Sequence, residues 1–150
     1  TRLVRGGETP ARRAALFGSG RDRRQLFTLG AWAELVGRRV PARTLTAERS
    51  ARVRLVDGER FETVKPAAGT VPAQVEGTIE GSTRRARRDL AVAMNGRIRA
   101  VTRSFIVDGS ERFAAVLPEE AFRAGLNEIT VLAVRRQAGR PLLTRLPSVG

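Results

Sequence analysis

Between residues 52 and 134 apolar side chains recur at alternate positions in short runs, and Asp-Gly and Asn-Gly dipeptides separate several of the runs. A period of two sends successive side chains to opposite faces of an extended chain, so each run predicts a strand with one buried face. The fullest example is residues 71–80, with Val71, Ala73, Val75, Gly77 and Ile79 on one face and Pro72, Gln74, Glu76, Thr78 and Glu80 on the other. Pro72 predicts an edge position for this strand, because proline donates no ladder hydrogen bond.

The neighbouring runs extend the pattern. Val53 and Leu55 alternate with arginines before Asp57-Gly58, and Phe61, Thr63 and Lys65 follow, which outlines a hairpin. In residues 89–94, Leu90, Val92 and Met94 share one face and the small Ala91 and Ala93 the other. Asn95-Gly96 comes next, the dipeptide best suited to the left-handed torsions of a tight hairpin turn, and residues 98–107 read as the return strand. Asp108-Gly109-Ser110 turns the chain into Phe113, Ala115 and Leu117, so these strands are expected to form a meander. Pro118-Glu119-Glu120 suits one helical turn, with proline and acids where a first turn accepts them. Residues 127–134 form the last clear strand, and residues 140–149 either add an edge or trail as a tail. About six short strands with closely spaced turns indicate a sandwich or barrel rather than an α/β fold.

The N-terminal part has a different character. Leu26, Leu29, Trp32, Ala33 and Val36 recur at three- and four-residue steps up to Gly37, predicting a short helix. Residues 1–50 are therefore expected to be a basic linker with a short helix, and residues 51–150 the β domain. The chain opens at Thr1 on a basic stretch bearing glycine and proline, which suggests a piece of a longer protein.

Composition narrows the chemistry. Cysteine and histidine are both absent, so thiolate nucleophiles, histidine general bases and the usual zinc ligands have no residues to use. Glu119 and Glu120 are adjacent and point apart, which suits a helix dipole better than a catalytic carboxylate pair. No catalytic residue, metal site or cofactor is expected within these residues. The formal net charge is +13, from 28 Lys plus Arg against 15 Asp plus Glu. Thr1 to Arg54 holds 13 Arg against 4 acids, a balance of +9, so most of the excess lies ahead of the β domain. Lys65 is the only lysine, and the preference for arginine accords equally with a GC-rich coding sequence.

Two features are candidates for binding. Arg84-Arg85-Ala86-Arg87-Arg88 places four guanidinium groups in one inter-strand loop. Arg84, Arg85, Arg87 and Arg88 suit forked bonding to sulfate, phosphate or carboxylate, and equally a solvated loop of an arginine-rich chain. Trp32, the only tryptophan, either stacks on a sugar or base or anchors packing against the sandwich or an upstream domain. Nucleic acid is the less favoured polyanion, because exposed aromatics interleaved with basic residues are sparse in a chain without tyrosine.

Leu90-Ala-Val-Ala-Met-Asn-Gly, Phe113-Ala-Ala-Val-Leu-Pro and Gly125-Leu-Asn-Glu-Ile-Thr-Val together resemble the closing half of bacterial Ig-like and fibronectin-like sandwiches. The resemblance implies a mainly β, Ig-like or fibronectin-like antiparallel β-sandwich with a short N-terminal helical or irregular segment. With Leu16-Phe17-Gly-Ser-Gly, Glu34-Leu-Val-Gly-Arg-Arg-Val-Pro and Val71-Pro-Ala-Gln-Val-Glu-Gly added, the order of motifs resembles the non-catalytic C-terminal region of actinobacterial membrane-anchored sulfatase-like proteins. That resemblance implies an accessory domain beside an upstream alkaline-phosphatase-type hydrolase of the same chain, extracytoplasmic and membrane-associated through that parent. It implies packing on the enzyme or presenting it to anionic glycans or a membrane surface. The family's catalytic signature, Cys or Ser followed by x-Pro-x-Arg with metal-binding Asp and His, does not occur in this sequence, so no catalytic residue carries over. A basic module for nucleic acid or anionic lipid is the competing expectation, and a structural spacer or oligomerisation domain the third.

Overall fold

Alternation produces most of the predicted strands, in a computed structural model that describes residues 31–40, 45–81 and 87–149. Eight strands form: β1 (Arg52–Leu55), β2 (Gln74–Glu80), β3 (Asp89–Met94), β4 (Arg97–Arg103), β5 (Phe105–Val107), β6 (Ser110–Val116), β7 (Ile129–Gln137) and β8 (Arg140–Leu146). They make two four-stranded sheets, ordered β1-β2-β6-β5 and β4-β3-β7-β8, with every strand pair antiparallel. The protein is a mainly β, antiparallel two-sheet sandwich.

The core lies between the sheets. Val53, Val75, Ile79, Phe113 and Ala115 from the first sheet meet Leu90, Val92, Met94, Val131 and Ala133 from the second. Below them Phe61 and Phe122 stack with ring centroids 6.4 Å apart, closing one end of the core. Packing of this kind supplies most of the drive to fold, since each buried large apolar side chain contributes about 1.5–3 kcal/mol.

The second sheet has apolar cover on its other face too. Trp32, Leu35 and Val40 pack there against Ala91, Ala93, Ile98, Val101, Leu132 and Val134. The small alanines of β3 let this N-terminal strap lie close to the sheet, so β3 is buried from Leu90 to Met94 on both sides. After Trp32 the chain makes a single 3-10 turn at Ala33–Leu35, which is the described part of the expected helix over residues 25–37. Of the residues that carry the apolar spacing, Trp32 is buried on the sheet and Val36 half-buried, Ala33 is exposed, and Leu35 of the turn itself is fully buried; Leu26 and Leu29 lie outside the described residues. Gly37, at φ +95°, stops the turn and donates its N–H to Ile98 O at 2.8 Å.

Residues 38–40 then run beside β4, with Val40 N donating to Gly96 O at 2.8 Å. Residues 46–48 flank β8, where Glu48 N donates to Arg145 O at 2.8 Å. Both edges of the second sheet are thus partly paired by the N-terminal segment, which leaves fewer of the exposed ladder groups that invite edge-to-edge association. The described portion of the stretch read as a linker is packed on the sandwich; residues 1–30 and 41–44 lie outside the described residues.

Three local expectations are corrected. The chain after Asp57-Gly58 does not return as a hairpin strand: Gly58–Phe61 forms a 3-10 turn that drives Phe61 into the core, and β1 pairs with β2 instead. Pro72 does not mark an edge, because β2 begins two residues later and lies between β1 and β6. The meander is broken at Ser104, where the return strand splits into β4 of one sheet and β5 of the other. Pairing with residue 88 holds that crossover: Ser104 N donates to Arg88 O at 2.8 Å and Arg88 N to Ser104 Oγ at 2.7 Å.

The hairpin turns follow their residues. Asn95-Gly96 and Asp108-Gly109 both adopt left-handed torsions, as the type I′ geometry requires. Asn127 locks the approach to β7, since its Oδ1 accepts from Asn95 Nδ2 and Arg123 N while its Nδ2 donates to Arg123 O.

Candidate functional site

Where β3 begins and β7 ends, the strap and the loop before β3 enclose an open cleft of about 480 Å³. Trp32 forms one wall. Its Nε1 donates to Asp89 Oδ2 at 3.1 Å, and the Arg136 guanidinium lies 4.6 Å from its ring centroid. With 4% of its surface exposed, the indole is a packing anchor and a platform for a guanidinium, not a free face for a sugar or base.

The arginines of the cleft divide into committed and uncommitted groups. Arg88 is committed: its Nε donates to Glu111 Oε1 at 2.8 Å, with side-chain exposures of 14% and 5% for the pair. Ser104 Oγ donates to the same carboxylate oxygen at 2.8 Å. This buried cluster ties the loop end to β6 and to the sheet crossover, so Arg88 serves chiefly as a tether. Arg135 Nη2 reaches Glu48 Oε2 at 3.4 Å. A hydrogen bond from Ser50, then the charges of Arg135 and Arg88, hold the Glu48 carboxyl below its usual range against the opposing effect of burial.

Arg87 and Arg136 line the same cleft, and neither has a carboxylate within ion-pair distance among the described residues. Asp89 is shared between Trp32 and a long 3.9 Å contact with Arg103. Two guanidinium groups without charge partners among the described residues therefore face an open, half-apolar recess. Each carries five N–H donors in a planar fork, the geometry that recognises sulfate, phosphate or carboxylate.

Three sequence-derived candidates, Trp32, Arg87 and Arg88, are brought together here. Arg84 and Arg85 lie outside the described residues. Sequence reading did not anticipate Asp89, Arg135 or Arg136. A signal for the two arginines exists at the end of β7, where Val134 gives way to Arg135-Arg136 and the apolar run ends.

No group of three or more acidic residues able to hold a metal ion occurs among the described residues, and no described helix is long and apolar enough to cross a membrane. Compared with known proteins, the chain matches no family model, no curated protein and no solved structure.

Proposed function

We propose that the chain is a non-catalytic, Ig-like accessory module that binds anionic glycan through the cleft walled by Arg87, Arg135 and Arg136. The observation that carries this reading is the pair of guanidinium groups, Arg87 and Arg136, that face the cleft without a carboxylate partner among the described residues. Glycan is favoured over nucleic acid because the described aromatics do not form a stacking platform beside the cleft: Phe61, Phe113, Phe122 and Trp32 are buried, and the exposed Phe105 lies on β5 of the other sheet.

The Ig-like assignment draws support from strand order. Read as A, B, E, D and C′, C, F, G, the sheets β1-β2-β6-β5 and β4-β3-β7-β8 match the immunoglobulin arrangement. Val53 N also donates to Pro147 O and Val149 N to Val53 O, both at 2.8 Å, so the first strand makes a parallel bridge to the segment that follows the last. The parent that would carry such a module, by the sequence resemblance, is an extracytoplasmic, membrane-associated sulfatase-like hydrolase. A full-length parent lacking a hydrolase domain overturns that attachment.

Calorimetry with dextran sulfate against uncharged dextran tests the binding reading. The sulfated polymer binds, the uncharged one does not, and Arg87→Gln with Arg136→Gln weakens binding about tenfold or more, the loss expected for charge-assisted hydrogen bonds. Unchanged affinity in the double variant refutes the cleft as the site, and tighter binding to duplex DNA than to dextran sulfate refutes the glycan reading.

A further inference from the structure

A second concentration of positive charge lies at the opposite end of β3, around the turn into β4. The antiparallel bridge beside β4 sets Arg39 directly across from Arg97, an arrangement of like charges that costs stability when nothing neutralises it. A register irregularity adds a third arginine. Val92 pairs with Ala100 while Ala93 pairs with Ile98, so Arg99 is the extra residue of a β-bulge. Its effect is visible in the packing: Ile98 faces the strap and Ala100 faces the core between the sheets, although they are two residues apart. Bulges redirect side chains and recur next to functional sites.

Here the redirection gathers Arg39, Arg97 and Arg99 around one open recess of about 570 Å³. Arg97 is held in place by donation from its Nη1 to Gly37 O at 2.6 Å. Arg99 Nε is buried with no hydrogen-bond partner among the described residues. None of the three has a carboxylate within ion-pair distance among the described residues. Burial, and after it the neighbouring Arg97 charge, push the Arg99 guanidinium pKa down, and Glu120 opposes this only in part.

We propose that Arg39, Arg97 and Arg99 form a second oxyanion site, which takes a single sulfate, phosphate or carboxylate group. It shares no lining residue with the Trp32 cleft and stands independently of the function assigned there. The five residue steps from Asp89 to Met94 along β3 span about 17 Å, so one small anion cannot serve both sites. An anion in the recess relieves the Arg39–Arg97 repulsion and gives the Arg99 guanidinium a charge partner together.

The test is a titration of the 15N-labelled chain with sodium sulfate, followed through arginine Nε–Hε and backbone resonances, with sodium chloride holding ionic strength constant. Parallel titrations with phosphate and acetate distinguish the preferred oxyanion. A saturable shift of Arg99 Nε–Hε and of the Gly96 amide is expected. Arg99→Gln and Arg39→Gln each weaken the site about tenfold, read for Arg99→Gln through the Gly96 amide. Arg39 is exposed, so its variant keeps the test valid if Arg99→Gln disturbs the bulge. Arg136→Gln leaves these shifts unchanged, which separates this site from the cleft. Linear shifts matching those of chloride for all three anions, unchanged affinity in Arg39→Gln, or loss of the Arg99 shift in Arg136→Gln overturns the proposal.

Discussion

Replacing Gly77 by alanine isolates one steric constraint of the sandwich core. Gly77 lies in β2 across from Leu55 of β1 and Phe113 of β6, and its φ is not positive, so alanine meets no torsional penalty. On backbone grounds alone the change should stabilise, because alanine loses less entropy than glycine, by roughly 0.5–1 kcal/mol. Space reverses the sign. A Cβ built there sits 2.7 Å from Arg54 O, 2.7 Å from Phe113 Cε1 and 2.9 Å from Phe113 Cζ. Comfortable carbon contacts lie near ~3.5–4.0 Å, so the overlap approaches ~1 Å. Neither neighbour yields easily: one is a ladder carbonyl and the other a ring with 1% exposure. Overpacking of this severity belongs at the upper end of the usual range, about 3 kcal/mol. For a domain of this size that lowers Tm by about 10–20 °C.

Urea unfolding followed by far-UV circular dichroism and Trp32 fluorescence measures it. Gly58→Ala is the control, since its nearest neighbour would be Leu55 Cβ at 3.4 Å, and it should stay within about 0.5 kcal/mol of the parent. Phe113→Leu placed in the Gly77→Ala background removes the clashing ring carbons, so the double variant should be more stable than the two single losses add up to. Gly77→Ala with unchanged or raised stability refutes the reasoning.

Three further outcomes follow from local geometry. Ala138 occupies a left-handed torsion, φ 50°, in the β7–β8 turn, so Ala138→Asn should raise stability by about 0.5–1 kcal/mol in thermal melts. Glu111→Leu strands the tethering Arg88 and should cost about 3–5 kcal/mol in urea titration, while Glu111→Leu with Arg88→Leu should recover much of that loss. Because the Glu48 pKa is lower folded than unfolded, its contribution is present above the ordinary value of 4.5 and is lost as pH falls through the folded value; Glu48→Gln should flatten the stability profile in that acid window and leave its slope near neutrality unchanged.

What the sequence disclosed was local. Residues 74–80 and 89–94 announce their faces by alternation, and Asn95-Gly96 and Asp108-Gly109 announce their turns, because each signal acts within a few residues. Sheet membership is different. The passage from β4 to β5 depends on Ser104 meeting Arg88 and on Glu111 being buried beside both, contacts that no period in the chain reports. Residues 32–36 carry helical spacing yet form one 3-10 turn, since Trp32, Leu35 and Val36 reach the sheet from a single turn while Ala33 and Glu34 stay exposed. For the cleft, Trp32, Arg87 and Arg88 stand out by type or clustering. Arg136 and Asp89 acquire their roles from Trp32, which is far from both in sequence: the Trp32–Asp89 hydrogen bond spans 57 residues.

The strap has a consequence for timing and local stability. Its contacts to β3, β4 and β7 close long loops, while the sandwich beneath it pairs without it, so the strap is expected to dock after the sheets have assembled and to detach before they part. The cleft exists only while Trp32 is seated. A ligand held there would therefore slow hydrogen exchange most in residues 31–40 and least in the strands of the first sheet, so that occupancy is registered as protection of one segment against a constant background.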